Sequence, residues 1–350
     1  MSELRINNIT DRAGSSGPVI AGVSTVTSTT HMVMPSGPTE MRGGRGRGVF
    51  GGGESNVMDF IEIATTGNAT NFGGLNETER DRPYSFASST RGIIGGGRDH
   101  PNYWTSIDYI TTSSSGGATD FGELIQGAWA GAGASNNTRG LFFGGYFPGT
   151  TDFAGTVRNF KKIQAVEIAT TGEANEFGEV TENGIRECGC VASQTRAVRV
   201  GGKTTTVAPS WGNIVGSIDF VTIATKGDAE DFGELIDPNT AGTGCSNSTR
   251  GIYAGGVVSS PSRVNVIQFI TIATLGNAQD FGDLIAVSCL QGAAASSTRG
   301  VFAGGSQPTT VNMIEFVTIA TTGNSIDFGD RVSTGRGLGG FSDSHGGIGD

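Results

Sequence analysis

Short apolar runs, rich in β-branched and aromatic side chains, recur along the chain between clusters of Gly, Ser, Thr and Asn. VMDFIEIAT at 57–65 and IEFVTIAT at 314–321 are two of them. Such runs are too short and too punctuated for helices and predict strands. Alternation along one of them puts Ile61 and Ile63 on one face and Phe60 on the other. A strand apolar on both faces is one held between two neighbouring sheets.

The runs belong to a repeat. IATTGNATNFG at 63–73 returns as IATTGEANEFG at 168–178, IATKGDAEDFG at 223–233, IATLGNAQDFG at 272–282 and IATTGNSIDFG at 319–329, with a looser TSSSGGATDFG at 112–122. A second anchor, an Arg-Gly or Arg-Ala step followed by apolar residues and a glycine pair, starts at Arg47, Arg91, Arg139, Arg196, Arg250 and Arg299, so the period is 44 to 57 residues. A period of that size implies stacked supersecondary units. Each unit holds four strands: one before the Arg turn, one running into the glycine pair, one ending in Ala-Thr and one carrying Asp-Phe-Gly. That is a propeller blade. The expected fold is all-β, a six-bladed propeller at 41–350 preceded by a β-rich N-terminal arm at 1–40 for attachment or oligomerisation.

Within the repeat, Gly67, Gly116, Gly172, Gly227, Gly276 and Gly323 fall in the turn between strands three and four, where a positive φ or a tight reversal suits glycine. Phe72, Phe121, Phe177, Phe232, Phe281 and Phe328 are expected to fill the space between blades. Blade one lacks a first strand of its own, and 335–345 is a first strand without a blade. The C-terminus is therefore expected to close the ring and leave no free sheet edge.

Composition narrows the function. Of 350 residues 59 are Gly and 16% are charged, with no run near the roughly eighteen apolar residues of a membrane helix. The N-terminus MSELRINNIT shows no basic start followed by an apolar run, so no export signal is expected. A net charge of -10 argues against nucleic acid as a partner. Cys188, Cys190, Cys245 and Cys289 are too sparse for a disulfide framework; the first two share one strand face and read as buried thiols. Only His31, His100 and His345 are present, so neither a metal site nor a cofactor is expected.

Two motifs lose their usual meaning through repetition. Gly46-Arg-Gly48-Val-Phe-Gly51 fits the dinucleotide fingerprint but is one copy of the blade pattern, with no strand-to-helix context. Asp-Phe-Gly occurs four times without any kinase catalytic loop. The six arginines at equivalent turns would sit fairly near the axis and could ring an anion. The expectation is instead that they pair with the acids before the phenylalanines, Asp120, Glu176, Asp231, Asp280 and Asp327.

In a four-stranded meander the one-two and three-four turns share a face, and here those are the repeated ones. The two-three loops and the blade links share the other face and carry the variation: four residues at 54–57, nine at 98–106, seventeen at 146–162 and fifteen at 203–217. These loops hold Tyr103, Trp104, Tyr146, Phe147, Phe153 and Trp211. Aromatics on loops of a rigid scaffold offer large contact area at low entropic cost, which makes these six the candidate binding residues.

The Arg-Gly-x-x-x-Gly-Gly strand with an aromatic fourth strand resembles the kelch or galactose-oxidase-like propeller, Phe taking the place of the usual tryptophan. TRGIIGGG, TRGVFAGG, the IATTGNATNFG repeat and the leader INNITDRAGSSGPVIAGVSTVTSTTHMVMPSGPT look like propeller proteins of tailed bacteriophages, notably marine and cyanobacterial ones. The resemblance implies a virion component assembled in the host cytoplasm, fibre-associated, part of the tail or decorating. Its implied partners are other virion proteins and a host surface glycan or protein. The copper site of galactose oxidase and the Asp boxes of sialidases cannot be assembled from these residues, so a non-enzymatic protein is expected. The alternatives are an enzyme using the channel as its site and a host-encoded protein-interaction propeller.

Overall fold

The structure is a computed structural model that describes residues 46–147, 160–204, 212–259 and 262–348. The expected arm at 1–40 lies outside the described residues, as do Phe153 and Trp211. Among the described residues there is no helix, and the strands form six four-stranded antiparallel sheets and three two-stranded ribbons, each ribbon within the loop between the second and third strands of one sheet. Blade 2 runs Tyr84–Ala87, Arg91–Gly95, Ser106–Thr111, Thr119–Glu123 from axis to rim. The other innermost strands are Ala132–Ser135, Gly189–Ala192, Thr243–Ser246, Gly292–Ala295 and Leu338–Ser342 for blades 3, 4, 5, 6 and 1. Each packs on its two neighbours, which closes a six-bladed β-propeller.

The closing strand is the C-terminal one. Leu338–Ser342 pairs antiparallel with Arg47–Gly52, Val49 opposite Phe341, so the first blade is completed from the far end of the chain. Gly46 is at the repeated-turn face, where its carbonyl accepts the Ile63 amide at 2.7 Å.

Among the described residues the core consists of six apolar clusters, one for each blade–blade boundary. Phe281, for example, packs with Ile252 and Ile267 of blade 5 and with Phe302 and Val317 of blade 6. The alternation read for the third strand holds: Ile61 and Ile63 face blade 6, Phe60 faces blade 2. Each of the six repeated phenylalanines is 2–3% exposed.

Why the phenylalanine is followed by glycine is visible in the strand register. Met58 pairs with Gly73 and Asp59 with Asn71, so Phe72 is the extra residue of a β-bulge, and the shift recurs at the same place in every blade. A bulged residue leaves the ladder, and its carbonyl is free. That carbonyl accepts the turn glycine of the next blade: Gly116 N–H to Phe72 O at 2.7 Å, Gly172 to Phe121 at 2.8 Å, Gly276 to Phe232 at 2.9 Å. The repeat is therefore a main-chain clasp as well as packing. Close approach, not the turn itself, fixes the second glycine, because a Cβ on Gly329 would meet the Gly67 carbonyl oxygen at 2.5 Å.

The arginines correct an expectation. They do not pair with the acids before the phenylalanines, and they point to the blade boundary instead of the axis. Arg91 Nη1 donates to the carbonyls of Ile168 and Ala169 in the next blade at 3.1 and 2.9 Å, and Arg139, Arg196 and Arg299 do the same one blade further on. Five of the six guanidinium groups lie 4.2–4.7 Å over a third-strand ring such as Phe60 or Phe269. Arg139, which faces Ala165 at that position, forms a 2.8 Å ion pair with Glu167 instead.

One polar residue in each third strand is buried and holds the linker arriving from the preceding blade. Gln164 and Gln268 accept the amides of Ile125 and Ile236, and Glu315 that of Ile285, all at 2.8 Å. Asp219 takes Thr181 and forms a fully buried 2.8 Å ion pair with Arg199; Asp59 pairs with Arg331 at 2.9 Å. Burial raises the pKa of Glu315, opposed by its bonds from Ser325, Ile285 and Gln291.

Candidate functional site

The variable face is shorter in loop than expected. Arg98–Asp99 pairs with Asn102–Tyr103 as a small ribbon, and in blade 4 Lys203 still pairs with Ile214, so part of the presumed 203–217 loop is strand.

Over blades 2, 3 and 4 side chains come together. Tyr103 lies 6.5 Å from Tyr146 and 6.4 Å from Phe147, ring to ring, and Tyr146 meets Trp129 edge-on at 6.0 Å. Phe147 continues inward to Phe160 at 6.4 Å, which ties the cluster to the core between blades 2 and 3. Three of the six expected residues therefore converge, half-buried. Trp104 does not join them: its indole N–H donates to the Glu79 carbonyl at 3.1 Å, which holds it on the linker between blades 1 and 2.

Sequence reasoning missed the cationic half of this cluster. Arg98 stacks 3.6 Å over the Trp129 ring and Arg82 lies 4.6 Å from the same ring, while Arg186 lies over Tyr146 at 4.9 Å. Burial lowers the Arg186 pKa, with Glu187 opposing and the charges of Arg82 and Arg98 adding to the decrease. Asp81 pairs with Arg98 at 3.1 Å and Glu187 with Arg82 at 2.6 Å. The signal was available, because Trp129, Arg82 and Arg186 lie in blade links, which share the face of the two-three loops. An aromatic floor with fixed guanidinium and carboxylate groups can hold a polar partner by stacking and by charge-assisted hydrogen bonds.

Beside the cluster is the channel mouth. Arg82, Ala130, Glu187, Ala241, Leu290 and Gly337, each just ahead of an innermost strand, have φ between 50° and 65°. Left-handed backbone at five non-glycine residues is costly, and each instance is held by a hydrogen bond. Arg82 N–H donates to Gly337 O, Ala130 to Arg82, Glu187 to Ala130, Ala241 to Glu187, Leu290 to Ala241 and Gly337 to Leu290, at 2.5–2.9 Å. The bonds run head to tail and close on themselves. The Arg82–Glu187 ion pair links blade 2 to blade 4 above this ring. The ring residues, Arg82 and Glu187 among them, also line a cavity of about 100 Å³ walled largely by Gly and Ala, such as Gly133, Gly189 and Ala293. That is smaller than the few hundred Å³ typical of small-molecule sites.

The four cysteines are buried and unpaired, as the spacing implied, and Cys188 and Cys190 share one cluster. Among the described residues no group of three or more His, Cys, Asp or Glu side chains could hold a metal. No helix among them is long and apolar enough to cross a membrane. Compared with protein-family models and with curated proteins, the chain matches none.

Proposed function

We propose that this propeller is a non-enzymatic binding protein of a tailed bacteriophage virion, fibre-associated, in the tail or decorating the particle. On this reading it holds a host surface glycan or protein, or a neighbouring virion protein, through the variable face over blades 2 to 4. The observation that carries the binding role is the convergence of Tyr103, Tyr146 and Phe147 with Trp129 and three arginines, drawn from three blades. The phage assignment rests on the resemblance of the TRGIIGGG and IATTGNATNFG repeats and of the leader.

Detection of the protein in purified particles by mass spectrometry tests the virion role. The binding role is tested with Tyr103→Ala, Tyr146→Ala and Arg98→Ala, measured for adsorption to host cells and for rebinding to particles lacking the protein. Loss of either by about tenfold or more, with the melting temperature nearly kept, is the expected result. Normal binding by all three variants, or turnover of a glycan that survives them, sinks the reading.

A further inference from the structure

On the repeated-turn face the channel is filled by the residues after the closing strand. His345 Nε2–H donates to the Ala87 carbonyl at 2.7 Å, at the end of blade 2's innermost strand, and lies 3.4 Å from Ser135 Oγ of blade 3. Its Nδ1 accepts the Gly347 amide at 3.1 Å. A carbonyl only accepts, so Nε2 carries the proton; Nδ1 accepts, so it carries none. These are the bonds of a neutral imidazole. Gly346 N–H donates to Ser246 O of blade 5 at 2.8 Å, and Ser344 Oγ reaches Ala295 O of blade 6 at 3.4 Å. The seat has no room for side chains, since a Cβ on Gly346 would run into the Asn247 carbonyl and one on Gly347 into that of Ser135. Below it is a cavity of about 50 Å³, the inner half of the channel.

We propose that residues 343–348 form a stopper that closes this end of the channel only while His345 is uncharged, and that protonation of Nδ1 withdraws it. The added proton occupies the lone pair that receives Gly347 N–H and sets two donors face to face. Among the described residues, His345 makes its direct bonds to a carbonyl, a hydroxyl and an amide, none of which carries a compensating charge, and Ala192 of blade 4 also meets the segment through a carbonyl. Blades 2, 3, 5 and 6 present Ala87, Ser135, Ser246 and Ala295 to the stopper, none of them ionisable. In the cavity wall are Cys190 and Cys245, thiols that burial keeps protonated, the latter pushed up to about 12. On its own segment, Asp343 is engaged by the Arg47 amide at 2.9 Å. Arg91 and Arg139 in the adjoining turns direct their guanidinium groups to carbonyls of the next blades. Burial lowers the imidazole pKa and the Ala87 bond opposes it, so the seated form takes up its proton at lower pH than free histidine. The stopper is then held above the ordinary histidine range and released progressively below about pH 6.5.

Amide hydrogen exchange on the full chain, corrected for intrinsic rates and compared at pH 7.5 and 5.0, reads this directly. Protection of 343–348 should fall about tenfold or more at the lower pH while Thr243–Ser246 stays protected. His345→Gln keeps a donor for Ala87 O without a titrating group, and should be protected at both values. Gly347→Ala should expose the segment already at pH 7.5. The proposal is overturned by equal wild-type protection at both values, or by simultaneous loss in Thr243–Ser246. It is also overturned by a pH response in His345→Gln, by a glutamine variant unprotected at pH 7.5, or by a protected Gly347→Ala.

Discussion

The amide of Gly67 in the first blade donates to the carbonyl of Phe328 in the last, at 2.8 Å. It is the same clasp that joins every other pair of neighbouring blades, here closing the ring at the rim while Leu338–Ser342 closes it at the axis. A Cβ on Gly329 would collide with the Gly67 oxygen, whereas a Cβ on Gly67 meets nothing within 4 Å; both residues have positive φ, +146° and +156°, so the close approach is what separates them. Gly329→Ala should therefore cost about 1–3 kcal/mol and Gly67→Ala clearly less, measured by denaturant unfolding. Equal costs would mean that the close approach of the two main chains adds nothing to the strain that both positions share.

Phe281→Ala should cost roughly 3–5 kcal/mol through the cavity it leaves between blades 5 and 6. Tyr103→Ala and Tyr146→Ala remove half-buried rings that meet at a tilt outside the core, and should cost about 1 kcal/mol or less. Melting temperatures of the three variants, run side by side, check the contrast. Phe147 is expected between them, because it packs against Phe160.

Deleting 335–350 removes the innermost strand of blade 1 together with the stopper. The exposed edge of Arg47–Gly52 should lower the melting temperature sharply and promote association. Light scattering and a thermal scan are sufficient, and a monomeric, equally stable truncation would show that other residues supply the strand.

Glu315→Gln should leave stability at pH 7 unchanged or higher. Gln164 and Gln268 already do the same work in blades 3 and 5, and the Gln291 Oε1, buried without a hydrogen-bond partner, is beside the new amide. The sign follows from linkage. Burial raises the folded pKa of Glu315, so its protonated form is favoured on folding and the penalty of the charged form grows as pH rises through that pKa. The gain from the glutamine should shrink as pH is lowered from 7 toward 4.5 and should be absent from a matched Gln268→Glu background at low pH. Urea unfolding at several pH values measures it.

The blades, their boundaries and the closing strand were legible because each rests on a repeated residue type with one physical job: Phe to fill a boundary, Gly where main chains meet. The arginine partners were not. They are carbonyls of Ile168, Ile223 and Ile272, and an acceptor that every residue owns leaves no mark on the sequence. The buried Asp59, Gln164 and Glu315 did leave one, a single polar position within an otherwise apolar strand, visible only when the six copies are aligned. Of the binding cluster, Tyr103, Tyr146 and Phe147 could be picked as loop aromatics. Trp129 and its arginines could be placed on the same face as blade-link residues, but not brought together, since their meeting depends on how three blades curve toward one axis.

The ring of amide bonds at the channel mouth behaves as a hoop. Because Arg82, Ala130, Glu187, Ala241, Leu290 and Gly337 are joined in a closed run of main-chain bonds, no blade can tilt outward without stretching bonds on both sides of it. The circumference of the opening is thus set by backbone, and what projects above it is set by side chains that the hoop ignores. Charge, size or polarity at those positions can be exchanged, as Arg, Ala, Glu and Leu already are, without altering the bore.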